Sequence, residues 1–337
     1  MAVMSKVTLR IIAEKSGMSK YAVSRALSGK DGVSEATRQR IMEVADELGY
    51  ERPTPPSQSE VVAIFDDRDH VNAELHSQIL AGLQREAGRL NYDLRSHWLH
   101  HGGSIEDVLR NAGAVFAINV SDETAKRAIE ASGVPVVHSG WTGPLAQVDV
   151  VGGTDHGSGE AVVNHLHTLG HREIVYVHGT GDLRGRRVRL SGARVAAEVT
   201  GTTIHDLSWE EDSSFSEAFT RLLRKNVRPT ALFCAHDTLA MAVVTDLLSR
   251  GWRIPQDVTI IGFGDFTPAR LVSPPLTTVR VKGQEMGRTL ARIMHLRTTD
   301  ADWPGVPLQI RVVNELIVRS TCGPPPTVHP LDREPRA

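Results

Sequence analysis

Between Ser19 and Ser28 the chain sets out Lys20, Tyr21 and Arg25 among small polar residues. A guanidinium such as that of Arg25 pairs bidentately with O6 and N7 of guanine, the commonest base-specific contact made in the major groove. Tyr21 adds a hydroxyl and a flat apolar face. Ser19, Ser28 and the amides at helix starts suit phosphate oxygens. Elsewhere the chemistry is sparser. Histidines gather at His97, His100 and His101, and again at His165, His167 and His171. Neither group has a carboxylate at metal-ligand spacing, so both read as surface or structural histidines, and no metal or cofactor is expected. The chain carries no Walker loop, HExxH or G-x-S-x-G elbow, and Gly179-Thr180-Gly181 is too short to signal a nucleotide fold. It does not read as an enzyme.

The elements that must hold the first group are three short helices. One starts at Thr8 and carries Leu9, Ile12 and Ala13 on one face. Gly17 supplies the turn, Ser19 caps a second helix that buries Ala22, Val23, Ala26 and Leu27, and Ser34 caps a third with Ile41, Val44, Ala45 and Leu48 at helical spacing. Two helices around a glycine turn with a third closing the core make a helix-turn-helix unit, whose second helix enters the major groove. Charge agrees. The 337 residues balance 38 Lys and Arg against 40 Asp and Glu, net −2. Residues 1–30 nevertheless carry an excess of +5, and residues 53–337 a deficit of −4. A small basic head on a mildly acidic body is the footprint of a local nucleic-acid contact.

Residues 53–60 contain Pro53, Pro55 and Pro56 and no leucine, which predicts an extended linker rather than a helix. From Val61 onward, β-branched strands (61–65, 115–119, 134–138, 174–178, 203–208, 231–234 and 258–263) alternate with amphipathic helices (73–90, 122–132, 157–169, 214–225, 237–250 and 284–296). That alternation predicts an α/β body with parallel sheets, binding ligands at the carboxyl ends of its strands. Residues 323–337, with five prolines, are expected to be disordered. No apolar run is long enough to span a membrane, and no secretory signal precedes the head. Two cysteines, Cys234 and Cys322, fit a reduced cytoplasmic setting.

The head resembles the LacI/GalR family of bacterial repressors in Val7 to Ser19, Val23-Ser24-Arg25-Ala26-Leu27-Ser28, Val33 to Arg38 and Leu48-Gly49-Tyr50. The resemblance continues in Asp155-His156-Gly157, Leu169-Gly170-His171, Ile254-Pro255-Gln256-Asp257-Val258 and Pro274-Pro275-Leu276-Thr277-Thr278-Val279. It implies a helix-turn-helix head (1–52), the linker (53–60) and a two-lobed periplasmic-binding-protein-like body (61–322) with crossovers near 162, 281 and 312. It further implies a homodimer on a double-stranded operator and a small-molecule effector between the lobes. Ser19, Lys20, Tyr21 and Arg25 fall at its recognition positions, and Thr37 near a phosphate. Ala22 stands where the family usually has threonine, and the linker lacks the family's hinge helix.

The resemblance places Arg189 at the ligand-binding arginine and Phe215 at an aromatic that packs on the effector. His236-Asp237 replaces an Asn-Asp pair, with His236 a ligand contact or pH-sensitive group and Asp237 a ligand contact or helix N-cap. Asp265 follows Gly264, which stands where the family grips its ligand with an aspartate. Leu75-His76 replaces a phenylalanine pair, so His76 is a further candidate. Losing a carboxylate and an aromatic argues against an ordinary hexose or pentose. Two readings follow: an effector-responsive repressor, or a DNA-binding regulator with a vestigial sensor, constitutive or governed by a protein partner.

Overall fold

The computed structural model describes residues 9–27, 33–48, 50, 60–66, 68, 70–101, 103–143, 145–179, 183–209, 215–300 and 303–332. Helices α1 (Leu9–Ser16), α2 (Lys20–Leu27) and α3 (Glu35–Glu47) close a core of their own around Ile12, Val23, Ala26, Ile41 and Ala45. Gly17 turns the chain between α1 and α2 at φ +69°, a left-handed value that a Cβ would strain. The Ala22 amide donates to Ser19 Oγ at 3.1 Å and the Thr37 amide to Ser34 Oγ at 3.3 Å, so both helix starts are capped. Arg38 Nη1 donates to the Ala26 carbonyl at 3.1 Å and ties α3 to the end of α2. Linker positions 53–59 lie outside the described residues.

The body runs β1 (Glu60–Phe65), α4 (Ala73–Arg89), β2 (Asp93–Trp98), α5 (Ile105–Asn111), β3 (Ala114–Ile118), α6 (Glu123–Ala131), β4 (Val136–Ser139) and β5 (Asp149–Gly153). It continues α7 (Asp155–Leu169), β6 (Glu173–Gly179), α8 (Arg184–Thr200), β7 (Thr203–Trp209), α9 (Phe215–Arg224), β8 (Ala231–Cys234) and α10 (Asp237–Ser249). It ends β9 (Thr259–Gly264), α11 (Thr267–Leu271), β10 (Thr277–Arg280), α12 (Gly283–Thr299), β11 (Gln309–Val312) and β12 (Glu315–Ile317). Two six-stranded sheets result, ordered β11-β5-β4-β3-β1-β2 and β12-β10-β9-β8-β6-β7. Every pairing is parallel except β10 with β12. Strands β3, β8 and β9 are buried along their whole length, as parallel strands covered on both faces must be.

Each lobe has a helix pair in backbone contact. A Cβ on Gly82 of α4 would strike the Gln284 carbonyl of α12, and one on Gly192 of α8 would strike the His156 carbonyl of α7. Glu86 of α4, 4% exposed, adds charged bonds to Arg292 Nε (2.8 Å) and Arg288 Nε (3.5 Å). The chain crosses between lobes after β5, after β10 and between β11 and β12. The first crossing falls at Thr154, ahead of the expected 162, because α7 already packs on α8 of the second lobe.

The stretch 323–332 departs from the expectation of disorder. Buried His171 holds the Gly323 carbonyl at 2.8 Å, and the His329 ring meets Trp252 edge-on at 6.0 Å. The prolines there serve a strap laid on the second lobe rather than a free tail. Residues 333–337 lie outside the described residues.

Candidate functional site

In the head, positions 20, 21 and 25 belong to α2, and 100° per residue puts 21 and 25 on the side opposite buried Val23 and Ala26. The side chains of Lys20, Tyr21 and Arg25, and the whole of Ser28, lie outside the described residues. Ser19 is exposed at the helix start. Thr37 is half-buried, and its hydroxyl lies 2.8 Å from Ser34 Oγ within the α3 cap.

In the body, the carboxyl ends of β1, β3 and β4 in the first lobe and of β6, β8 and β9 in the second bring polar groups toward the interlobe seam. Arg189, on α8, is the hub. Its Nε lies 2.9 Å from Asp155 Oδ1 and donates to the Gly185 carbonyl at 3.3 Å, and its Nη1 donates to the Ala235 carbonyl. Its guanidinium sits 3.7 Å above the Phe263 ring, a cation–π contact made strong by burial. Burial pushes the Asp155 carboxyl above its ordinary range against the pull of Arg189 and Arg311. Across the seam, Arg184 Nη1 donates to the Thr142 carbonyl at 2.5 Å and lies 5.7 Å from the Trp141 ring, while Arg311 lies 4.8 Å from the same ring. His76 is buried on α4 with its Nε2 3.1 Å from Asn119 Nδ2 and its ring 5.7 Å from Phe65.

The structure brings His236 beside Arg189 but gives it a different part from a pH-sensitive group. Its Nδ1 accepts the Leu239 amide at 3.3 Å, so the imidazole, not Asp237, is the N-cap of α10. Burial, then Arg186 and Arg189, push its pKa down to about 3, which keeps the ring neutral. Asp237 points inward, wholly buried. It accepts from Thr278 Oγ1 at 2.6 Å and from the Phe266 amide at 2.8 Å, and burial raises it to about 6.

Asp265 does not join the Arg189 group. Gly264 at φ +129° and Asp265 at φ +56° turn the chain so that the carboxylate is buried against Arg319 (2.5 Å), Arg280 (2.7 Å) and Arg270 (3.4 Å). Burial opposes its charge, but the bonds from Arg319 and Arg280 prevail and hold the carboxyl below its ordinary value. Phe215 is 3% exposed, stacked on Phe219 at 5.3 Å and edge-on to Trp209 at 5.7 Å, along a groove with Met241 and Thr245. Trp141, Asp155, Arg184, Arg311 and Asn119 complete the seam and were not singled out by the sequence reading. Only the return of β11 to the first sheet sets Arg311 beside Trp141.

A small helix-turn-helix head on a two-lobed α/β body with a polar seam between the lobes defines a class: DNA-binding regulators with a sensor-type body. Residues 8–53 match the family described as bacterial regulatory proteins, lacI family, and residues 163–322 match the periplasmic binding protein-like domain. The head is a lacI-type DNA-binding domain, and the chain, similar to LacI-family proteins over most of its length, is a DNA-binding transcriptional regulator. It is 28% identical to the HTH-type transcriptional regulator DegA of Bacillus subtilis (strain 168), over 84% of this chain and 88% of that one. It is 26% identical to the HTH-type transcriptional repressor PurR of Haemophilus influenzae (strain PittEE), over 93% and 98%. Among solved structures, a transcriptional regulator CelR–cellobiose complex superposes with TM-score 0.67 at 26% identity, covering 94% of this chain and all of that one. The lac repressor dimer bound to operator and the anti-inducer ONPF has the same fold, with TM-score 0.66 at 21% identity over 94% and 99%.

Proposed function

We propose that the protein is a cytoplasmic repressor that binds a pseudo-palindromic operator as a homodimer and answers to a small molecule held between its lobes. Lys20, Tyr21 and Arg25 of α2 read bases; Ser19, Ser28 and Thr37 contact phosphates; the 53–60 segment is a tether. Arg189, His236 and His76 face the effector. The observation that carries the sensing part is the seam itself, where Arg184 of one lobe holds the Thr142 carbonyl of the other. Lobe closure and head spacing are then two readouts of one equilibrium. The cellobiose in the CelR complex and the operator in the lac repressor complex support a reading with both ligands.

Selection of bound sequences from random DNA tests the first part. The expected product is a symmetric site with half-sites about 10 base pairs apart or a multiple of that. An asymmetric or unenriched pool overturns it. Arg25→Ala should weaken binding by about 1–3 kcal/mol and relax one base in each half-site.

A second reading, a regulator whose sensor is vestigial, draws on Gly264 and on the bonds that Arg189 already makes to Asp155, Gly185 and Ala235. Thermal shift across neutral and charged metabolites separates the two, because a ligand that binds the folded form stabilises it.

A further inference from the structure

We propose that the effector is a small organic anion, held through its carboxylate or phosphate by Arg184 and Arg311 beside Trp141. The inference rests on the effector-binding reading above and names the chemistry of that site.

The first observation is charge. Arg184 and Arg311 both approach the Trp141 ring, at 5.7 and 4.8 Å, and α8 begins with Arg184, Arg186 and Arg187 and no acid in its first turn. A helix N-terminus is the positive end of the dipole, so clustered cations there are unfavourable unless an anion offsets them. Beside this set, Asp155 Oδ1 lies 2.9 Å from Arg189 Nε.

The second observation is unmet hydrogen bonding. Arg311 Nη1 is buried and has no hydrogen-bond partner among the described residues. Ser139, 4% exposed at the carboxyl end of β4, has a hydroxyl in the same condition. A buried guanidinium nitrogen left unpaired is expensive, and an oxyanion is the acceptor that best matches its fork.

The third observation is that the backbone is opened for these groups. Gly152 of β5 stands opposite Arg311, where a Cβ would collide with Nη1. At the end of β6, a Cβ on Gly179 would sit 2.9 Å from Arg186 Nη1. Two strand ends in two lobes are therefore hollowed to admit guanidinium groups. Nearby, burial and then Arg186 and Arg189 push the His236 pKa down.

The test uses the full chain and matched probes: glucose, glucuronate, glucose 6-phosphate and inorganic phosphate, by thermal shift and calorimetry. Glucuronate or glucose 6-phosphate should raise the melting temperature where glucose does not, with affinity falling as salt rises. The stronger of the two identifies carboxylate or phosphate as the head group. Arg311→Gln and Arg184→Gln, made separately so that one folding failure leaves the other informative, should each lower that affinity at least tenfold. Exposed Arg194→Gln, farther along α8, should not.

Stabilisation by glucose equal to that by its anions overturns the inference while leaving an effector site in place. Failure of all four probes overturns it as well, and the neutral arm of the metabolite panel then decides whether any effector is sensed. Anion binding unaffected by both arginine variants overturns the site.

Discussion

The carboxylate of Glu74 accepts the amide of Thr267 at 3.0–3.1 Å, so a side chain on α4 of the first lobe caps the start of α11 in the second. The bond exists only while the lobes are together. A charge-assisted bond at an exposed edge contributes about 1 kcal/mol net. Glu74→Ala should therefore shift the lobe equilibrium toward the open form by roughly fivefold, read as a larger radius of gyration by small-angle scattering. An unchanged scattering profile would remove Glu74 from the closure.

Asp265 holds the second lobe to its crossover strands, because Arg280 ends β10 and Arg319 follows β12. Asp265→Asn leaves three arginines facing a neutral amide. Loss of a partner from a buried pair is strongly destabilising, and the solvent reach of Arg270 and Arg280 moderates it, so about 2–4 kcal/mol is expected in urea melts. The folded pKa lies below the unfolded value. The stabilisation is therefore present above the unfolded pKa and fades as pH falls through the folded one. A variant as stable as the parent at pH 7 would contradict this.

Asp237 has the opposite sign. Burial raises its pKa from 3.8 to about 6, so the fold favours the neutral acid. Its contribution is complete below pH 3.8 and is lost as pH rises through about 6, an effect on the order of 2–3 kcal/mol. Asp237→Asn does not titrate. The stability difference between parent and variant should shift against the parent from pH 4 to pH 6.5 in chemical denaturation, and a constant difference would show that the carboxyl is already ionised at pH 4.

The head helices were readable because Gly17 turns the chain and Ser19 and Ser34 cap, while the helix start expected at Thr8 lies outside the described residues. Buried strands β1, β3, β6, β8 and β9 were readable as apolar runs, whereas the short buried strands β5 (Asp-Val-Val-Gly-Gly) and β10 (Thr-Thr-Val-Arg) were not. Strand β2 was not, because an edge strand reading Asp-Leu-Arg-Ser-His-Trp has little apolar face to show. Helix α8 was not, because Arg184, Arg186, Arg187 and Arg189 break its apolar stripe before Leu190, Ala193 and Ala197 resume it. Arg189 was found by its motif, but Trp141 and Arg311 share no local pattern and meet only through sheet order. Asp265 stands apart from Arg189 for a conformational reason: two successive positive φ values, at Gly264 and Asp265, turn the chain there.

The 323–332 strap yields a final prediction. His171, fully buried, contacts Thr230 Oγ1 through Nδ1 at 2.8 Å and the Gly323 carbonyl through Nε2 at 2.8 Å. The Gly323 amide also donates to Thr259 Oγ1 at 3.0 Å, and His329 covers Trp252, which in turn lies edge-on to Phe219 at 5.8 Å. Ending the chain after Cys322 strips the second contact from His171 and the cover from Trp252. One buried polar group left unpaired costs about 1–3 kcal/mol, and for a body of this size each kcal/mol lowers the melting temperature by about 2–4 °C. A truncated protein melting several degrees lower, with Trp252 fluorescence shifted to the red, is the expected result. Because the strap rests on the second lobe, affinity of the folded truncated protein for selected operator DNA should be retained. Equal melting temperatures would mean that the strap only rests on the surface.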